Sequence, residues 1–344
     1  MTKPLPPRDL AHIFEHCQAI WQDFQGARVF ITGGTGFFGC WLLESFSHAN
    51  AQLKLNAKIV VLTRDPQAFV EKMPHLASNP AIILQQGDVR DFVFPKGRFS
   101  HVIHAATEAS AKLNIEDPLK MLEVILTGTQ HTLDFAVQAQ VQKVLLVSSG
   151  AVYGRQPPNC SQVPEDDLSS PEWSKPANAY GIGKRTAEHM AALYQYQHGL
   201  NVKIARCFAF VGPHLPLDSH FAIGNFIHNG LKNESITIKG DGSPYRSYQY
   251  AADLMVWLWQ ILIRGEVGRP YNVGSDQAVS IGELAGVVAG CFTPTLPVNI
   301  AKEPTGQAPE RYVPSIERAV RELGLSNKID LLEAIKRTIA WSRQ

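Results

Sequence analysis

A short apolar strand that runs straight into a glycine-rich turn and then a helix is compatible with few folds. Residues Arg28–Thr32 read as that strand, and Gly33-Gly34-Thr35-Gly36-Phe37-Phe38-Gly39 follow at once. The G-x-x-G-x-x-G spacing permits a tight turn, a close approach of backbone to ligand, and a helix packed hard on its strand. The N-terminus of that helix then offers N–H groups and a positive dipole end to phosphates. Gly33, Thr35, Gly36, Phe37, Phe38 and Gly39 are therefore expected to hold the pyrophosphate of a dinucleotide. The plainer alternative is a turn whose glycines are only structural.

The rest of the chain repeats the alternation. Lys58–Leu62, Ala81–Leu84, His101–Ala105, Lys143–Val147 and Val202–Arg206 read as further strands, and Phe38–Ser47, Pro118–Ala139 and Ala179–His198 as helices between some of them. Short apolar strands separated by helices predict a parallel sheet covered on both faces, a doubly wound α/β (Rossmann) fold. An apolar stripe from Leu10 to Phe24 predicts a preceding helix, so residues 1–26 form an N-terminal helical extension and 27–206 the dinucleotide-binding domain. After Arg206 the composition changes. A helix (His220–Leu231), a strand (Ile236–Lys239) and a glycine-rich turn (Gly240–Pro244) open a smaller α/β substrate domain over 207–344, with a segment near 250–275 returning to the cofactor domain. Ser280 and Glu283 have the capping-box spacing for a helix through Cys291.

Composition excludes several classes. The 344 residues carry a formal net charge of +1, which gives no reason to expect nucleic acid or an anionic membrane as partner. The apolar stretch Met255–Ile263 falls well short of a membrane span, and Met1–Arg8 has no apolar run of a signal peptide, so a cytoplasmic protein is expected. Five scattered cysteines without a Cys-x-x-Cys pair predict neither a disulfide framework nor a metal site.

The second strand ends Thr63-Arg64-Asp65. A carboxylate at such a tip would accept from ribose hydroxyls and favour NAD, whereas Arg64 suits a 2′-phosphate. The expected cofactor is NAD or NADP, with Arg64 favouring NADP; Asp65 remains able to reach the ribose.

Tyr180 and Lys184 stand four residues apart on a helix that opens after Pro176, hence on one face. A phenol with a pKa near 10 is a poor base at neutral pH, and an adjacent ammonium, helped by a positive nicotinamide, stabilises its phenolate. Ser149 ends the buried run Lys143–Val147 at the carboxyl edge of the sheet, where ligands bind in such folds. Ser149, Tyr180 and Lys184 are the expected catalytic residues. Tyr180 and Lys184 also face the cofactor, and Ser149 also faces the substrate.

In this order the motifs resemble those of the extended short-chain dehydrogenase/reductase family, NAD(P)-dependent nucleotide-sugar epimerase/dehydratase type, over roughly Arg28 to Leu325. Gly87-Asp88-Val89 resembles its adenine-contacting segment, and His104-Ala105-Ala106 its cofactor-lining fourth strand. The resemblance thus adds Asp88, Val89, Ala105 and Ala106 to the cofactor site. Arg206 to Pro213, Asn225-Phe226-Ile227, Gly240-Asp241-Gly242, Arg246 to Tyr250, Asp253, Tyr271 to Gly274 and Arg311 resemble its later motifs. It implies that Asn225, Arg246 and Arg311 contact a nucleoside diphosphate, a task suited to the planar guanidinium fork. It also implies a homodimer.

Two departures bear on the reaction. Ala209 replaces an asparagine of the family's R-x-F-N stretch. Gly150 and Ala151 follow Ser149, where the 4,6-dehydratases of the family have an acid and a base, and its decarboxylases a glutamate at the second position. Asn225–Ile227 with Arg246–Tyr250 nonetheless looks like the UDP-glucuronate decarboxylase branch. The expected activity is hydride transfer at a sugar carbon, C4, of a nucleotide-diphosphate hexose or uronate, by an epimerase first and a 4-ketoreductase second. A dehydratase or decarboxylase using another proton carrier, Glu108 or Glu165, is the alternative. A non-catalytic dinucleotide sensor stands last, because serine, tyrosine and lysine are all retained.

Overall fold

The computed structural model describes residues 2–107, 111–219, 221–303 and 306–343. The chain begins with α1 (Pro7–His16), then a 3-10 segment (Gln18–Phe24), β1 (Arg28–Thr32), α2 (Phe37–Leu53), β2 (Lys58–Thr63), α3 (Pro66–Lys72), α4 (Pro74–Ala77) and β3 (Ile82–Gln86). It continues through β4 (His101–His104), α5 (Ala111–Glu116), α6 (Pro118–Gln138), β5 (Lys143–Ser149), α7 (Ala179–His198) and β6 (Val202–Cys207). Then come β7 (Phe210–Val211), α8 (Ala222–Leu231), β8 (Ile236–Ile238), β9 (Tyr245–Arg246), β10 (Gln249–Tyr250), α9 (Ala251–Arg264) and β11 (Pro270–Val273). Last are β12 (Val279–Ser280), α10 (Ile281–Ala289), β13 (Val298–Ile300), β14 (Arg311–Tyr312), α11 (Glu317–Leu323) and α12 (Leu331–Arg343).

Two compact units result. The first holds Met1–Gly154, Ser170–Cys207 and Met255–Tyr271; the second holds Arg155–Ser169, Phe208–Leu254 and Asn272–Gln344. Residues 155–169, which the sequence analysis leaves in the cofactor domain, therefore group with the second unit.

In the first unit the central sheet has seven strands in the order β11-β6-β5-β4-β1-β2-β3. β1 pairs in parallel with both β2 and β4, so the strand order reverses at the tips of β1 and β4. This is the crevice where ligands bind in open parallel sheets. Val29, Phe30 and Ile31 are fully buried, because helices cover both faces.

The expected helix Leu10–Phe24 is in fact two pieces, α1 and the 3-10 segment, which meet at Cys17. The apolar stripe survives the break because residues three apart align on a 3-10 turn as well. Trp21 and Phe24 meet Trp259 of α9 edge-on at 5.6 and 5.3 Å, and Phe24 lies 4.7 Å from the His101 ring. Aromatic pairs of this kind add about 0.5–1.5 kcal/mol each beyond their buried area. The arm also binds α2, since the Leu5 N–H donates to the buried Glu44 carboxylate at 2.9 Å.

The second unit is built of small sheets, β12-β9-β14, β10-β7 and β13-β8, with α8, α10 and α12 packed on one another. Ser280 and Glu283 form both halves of the expected capping box at the start of α10. His220, expected to begin α8, lies outside the described residues. The 155–169 segment is tied down by backbone: Val163 donates to Val313 O, and Ser315 donates to Val163 O, each at 2.9 Å. Glu165 is part of this knot. Its Oε1 accepts the Asn272 N–H at 2.9 Å, and its Oε2 lies 3.9 Å from Arg318. Among the described residues no helix is long and apolar enough to cross a membrane, and no three potential metal ligands cluster.

Candidate active site

The glycine turn divides its work among its members. Gly33 has φ +74°, and a Cβ there would sit 2.6 Å from the Ala105 carbonyl carbon and oxygen. A Cβ on Gly39 would lie 2.2 Å from the Gly34 carbonyl. These two glycines are demanded by protein backbone. Gly36 is different: a Cβ there would meet only Gly33 O, at an ordinary 3.6 Å. It is the exposed N-cap of α2, in extended geometry (φ −86°, ψ −171°), and no side chain caps the helix. Thr35, Phe37 and Phe38 beside it are partly exposed. An open, uncapped helix start fits a diphosphate.

The neighbouring strand tips are rigid. The Ala105 N–H donates to Thr32 O at 3.1 Å and the Ala106 N–H to the Thr32 hydroxyl at 3.2 Å. His104 is buried between the hydroxyls of Thr32 (2.8 Å) and Thr129 (3.1 Å). Burial, with the Lys184 charge adding to it, pushes His104 down to about 3, so it is neutral. The β2 tip carries Arg64 and Asp65, both exposed. Asp65 caps α3, its Oδ1 accepting the Ala68 N–H at 2.9 Å. Asp88 grips Arg90 instead of standing alone, accepting from Nε at 2.8 Å and from the Arg90 N–H at 3.0 Å. Those bonds hold its carboxyl below the usual range, and the Arg64 charge contributes. Val89 packs against Gly128 of α6, where a Cβ would come within 2.8 Å of its Cγ1.

Ser149, Tyr180 and Lys184 come together in the first unit. Ser149 ends β5, its hydroxyl accepting the Ala151 N–H at 3.2 Å and acting on the nearby Tyr180 side chain. Lys184 donates to Val147 O at 2.9 Å and to the Thr107 hydroxyl at 2.5 Å, with Nζ 6.0 Å from the Tyr180 ring centre. Gly181 allows this approach, since a Cβ there would fall 2.6 Å from Ala151 O. Burial pushes Tyr180 up to about 12, although the nearby Ser149 side chain opposes it, and burial pushes Lys184 down to about 8. In the free protein desolvation is the largest influence on both groups.

Asn225, Arg246 and Arg311 belong to the second unit. β9 and β14 place Tyr245 opposite Arg311 and Arg246 opposite Tyr312, so the two arginines lie on adjacent strands. The Arg311 guanidinium covers the Tyr245 ring at 4.3 Å, and Arg246 donates to Tyr245 O at 2.8 Å. Asn225 sits on α8, partly exposed. Of the two alternative proton carriers, Glu165 is engaged as described above, and Glu108 lies outside the described residues.

Two contacts were invisible in the sequence. α7 has no side-chain cap of its own, and Asn114 of α5 supplies one: its Oδ1 accepts the Tyr180 N–H at 3.0 Å, and its Nδ2 donates to Ala177 O at 2.6 Å. The second is Thr107, whose hydroxyl accepts from Lys184 Nζ. Their partners are 66 and 77 residues away, so no local spacing could have marked them.

Comparison with known proteins shows which proteins the chain is similar to. UDP-glucuronic acid decarboxylase 1 of Arabidopsis thaliana is 29% identical over 322 residues, covering 91% of this chain and 69% of the relative. The UDP-glucose 4-epimerase of Thermus thermophilus, solved with NAD, superposes with a TM-score of 0.74 at 26% identity, covering 92% of this chain and 99% of the other. The dTDP-glucose 4,6-dehydratase of Streptomyces venezuelae, also solved with NAD, gives 0.75 at 25% identity, with 92% and 97% covered. Residues 29–274 match the model of the NAD dependent epimerase/dehydratase family, and the chain belongs to that family.

Proposed function

We propose that the protein oxidises or reduces C4 of a nucleotide-diphosphate hexose or uronate, as a 4-epimerase or 4-ketoreductase. The observation that carries this reading is the Ser149–Tyr180–Lys184 cluster, with Gly150 and Ala151 as the two residues that follow Ser149. Tyr180 accepts the C4 hydroxyl proton at its phenolic oxygen as hydride leaves C4, giving a 4-keto sugar. Ser149 hydrogen bonds the reacting oxygen and Lys184 supplies the nearby positive charge. A bound nicotinamide provides the hydride acceptor and, when oxidised, a positive ring. In the free protein Tyr180 stays protonated, so the phenol becomes a working base only with that added charge.

Elimination of water from the keto sugar needs a further acid and base, and the two residues after Ser149 offer neither. A second reading, decarboxylation, is favoured by the identity with the UDP-glucuronic acid decarboxylases. One experiment decides. The protein is incubated with UDP-, dTDP-, GDP- and CDP-sugars, and the product mass is followed. An unchanged mass with inverted C4 marks an epimerase, and a gain of two hydrogens a reductase. Loss of water or carbon dioxide overturns the proposal and promotes the second reading.

Arg64 supports NADP over NAD, because it is exposed at the β2 tip while Asp65 is engaged as a helix cap. Arg64→Ala is then expected to weaken NADP(H) binding about tenfold or more and NAD(H) binding little, since it removes a charge-assisted bond. Equal losses in a fluorescence titration would return the preference to NAD. A homodimer through α6 and α7 is part of the same reading, with Leu119 and Tyr196 exposed on those helices.

A further inference from the structure

Tyr180 and Lys184 have a third member on their helix face. Glu188 is one more step of four along α7 and is 9% exposed. Its carboxylate accepts the Ser148 hydroxyl at 2.5 Å, and from Arg206 it takes Nη2 at 2.8 Å and Nε at 3.1 Å. Arg206 donates its remaining arm to the Tyr153 hydroxyl at 2.8 Å, with the guanidinium 4.8 Å above that ring. These residues adjoin the reacting groups. Ser148 precedes Ser149, Tyr153 closes the turn after it, and Arg206 precedes Cys207, the register partner of Ser149 on β6. One buried network thus joins β5, β6, the 150–153 turn and α7.

Packing alone does not call for these charges. A buried ion pair is often replaceable by apolar side chains without loss of stability, because desolvation consumes most of the Coulomb gain. The charge has another use nearby. Lys184 is buried, and among the described residues the groups that act on it are the Cys207 thiol and Glu188, while His104 and Tyr180 face it in neutral form. Burial keeps the Cys207 thiol protonated up to about 12, so at neutral pH it carries no charge. Among the described residues Glu188, paired with Arg206 and one turn along α7 from Lys184, is the anion that remains.

We propose that Glu188, held by Arg206 and Ser148, is a positioning residue that serves as the standing counter-charge of Lys184 and fixes α7 against the Ser149 strand end. It rests on the reading of Tyr180 and Lys184 as the proton-handling pair. The test is the titration of the Lys184 side chain in the cofactor-free full-length protein, by NMR of labelled lysine, with the signal assigned by its loss in Lys184→Arg. Glu188→Gln keeps the shape and removes the charge; the Lys184 midpoint is expected to fall by about one pH unit. Arg206→Gln removes the opposing cation and is expected to raise it. Opposite shifts are the signature of a charge effect, whereas a merely structural role would move both variants the same way. If one variant fails to fold, the other still carries the test. An unmoved midpoint, or a shift of the wrong sign, in either folded variant overturns the proposal. Glu188→Gln is also expected to move the alkaline limb of kcat downward with KM for the sugar changed less than about threefold. The lysine titration needs no turnover, so a failed sugar panel would sink the proposed activity and leave this result readable.

Discussion

Tyr180→Phe is expected to lose between about 10²- and 10⁴-fold in kcat while binding nucleotide sugar nearly as well as the native protein, the usual effect of deleting a general acid–base group. The substitution removes one oxygen and leaves the ring in its cleft, so the fold has little cause to respond. The pH dependence of the native enzyme should report the same pair. With Tyr180 pushed up to about 12 and Lys184 down to about 8 in the free protein, activity should rise with pH as the phenol ionises in the complex. It should fall again as the ammonium is lost. Steady-state kinetics and calorimetric binding of substrate check both parts. Near-native turnover in the variant would remove Tyr180 from the mechanism, and a loss confined to binding would make it a contact residue only.

How far the sequence reaches depends on distance along the chain. The strand–turn–helix at Arg28–Gly39 was legible because its physics is local: backbone freedom at Gly33 and close packing at Gly39 each leave a glycine that no other residue replaces. Tyr180 and Lys184 were legible for the same reason, as one turn of helix sets their separation. The capping box at Ser280 and Glu283 is likewise complete within four residues. Asn114 was not legible, because it caps a helix that starts far downstream. Glu188 was not singled out either: a glutamate in a helix reads as a solvated surface group until β6 brings Arg206 to it. Spacing reveals the charge beside Tyr180 and hides the depth of its burial, which pushes the phenol up in the free protein. Gln156 shows how residues 155–169 escaped notice: its Oε1 accepts the Val313 N–H, a partner 157 residues away.

The glycine turn admits a sharper test than loss of function, because its positions should fail in opposite ways. Gly39→Ala puts a methyl group within 2.4 Å of three Gly34 backbone atoms, none of which can move without unseating α2 from β1. Overpacking of this sort costs about 1–3 kcal/mol or more, so the melting temperature should drop by several degrees. Gly36→Asp meets no such obstacle, having 3.6 Å of room and a backbone geometry open to any residue. Aspartate is also a favoured N-cap, and its charge complements the positive end of the α2 dipole, so the melting temperature should hold or rise slightly. Its carboxylate would nonetheless occupy the place of a diphosphate. Two like charges about 4 Å apart at a protein surface repel by roughly 4 kcal/mol, enough to weaken dinucleotide binding on the order of 10²-fold or more. Thermal melts and NAD(H) and NADP(H) titrations of the two variants separate the roles. A Gly36→Asp protein that melts normally and binds both dinucleotides normally would mean that the turn is only structural. In that case the cofactor would have to bind elsewhere than on the N-terminus of α2, and the chemistry assigned to Tyr180 and Lys184 would lose its partner.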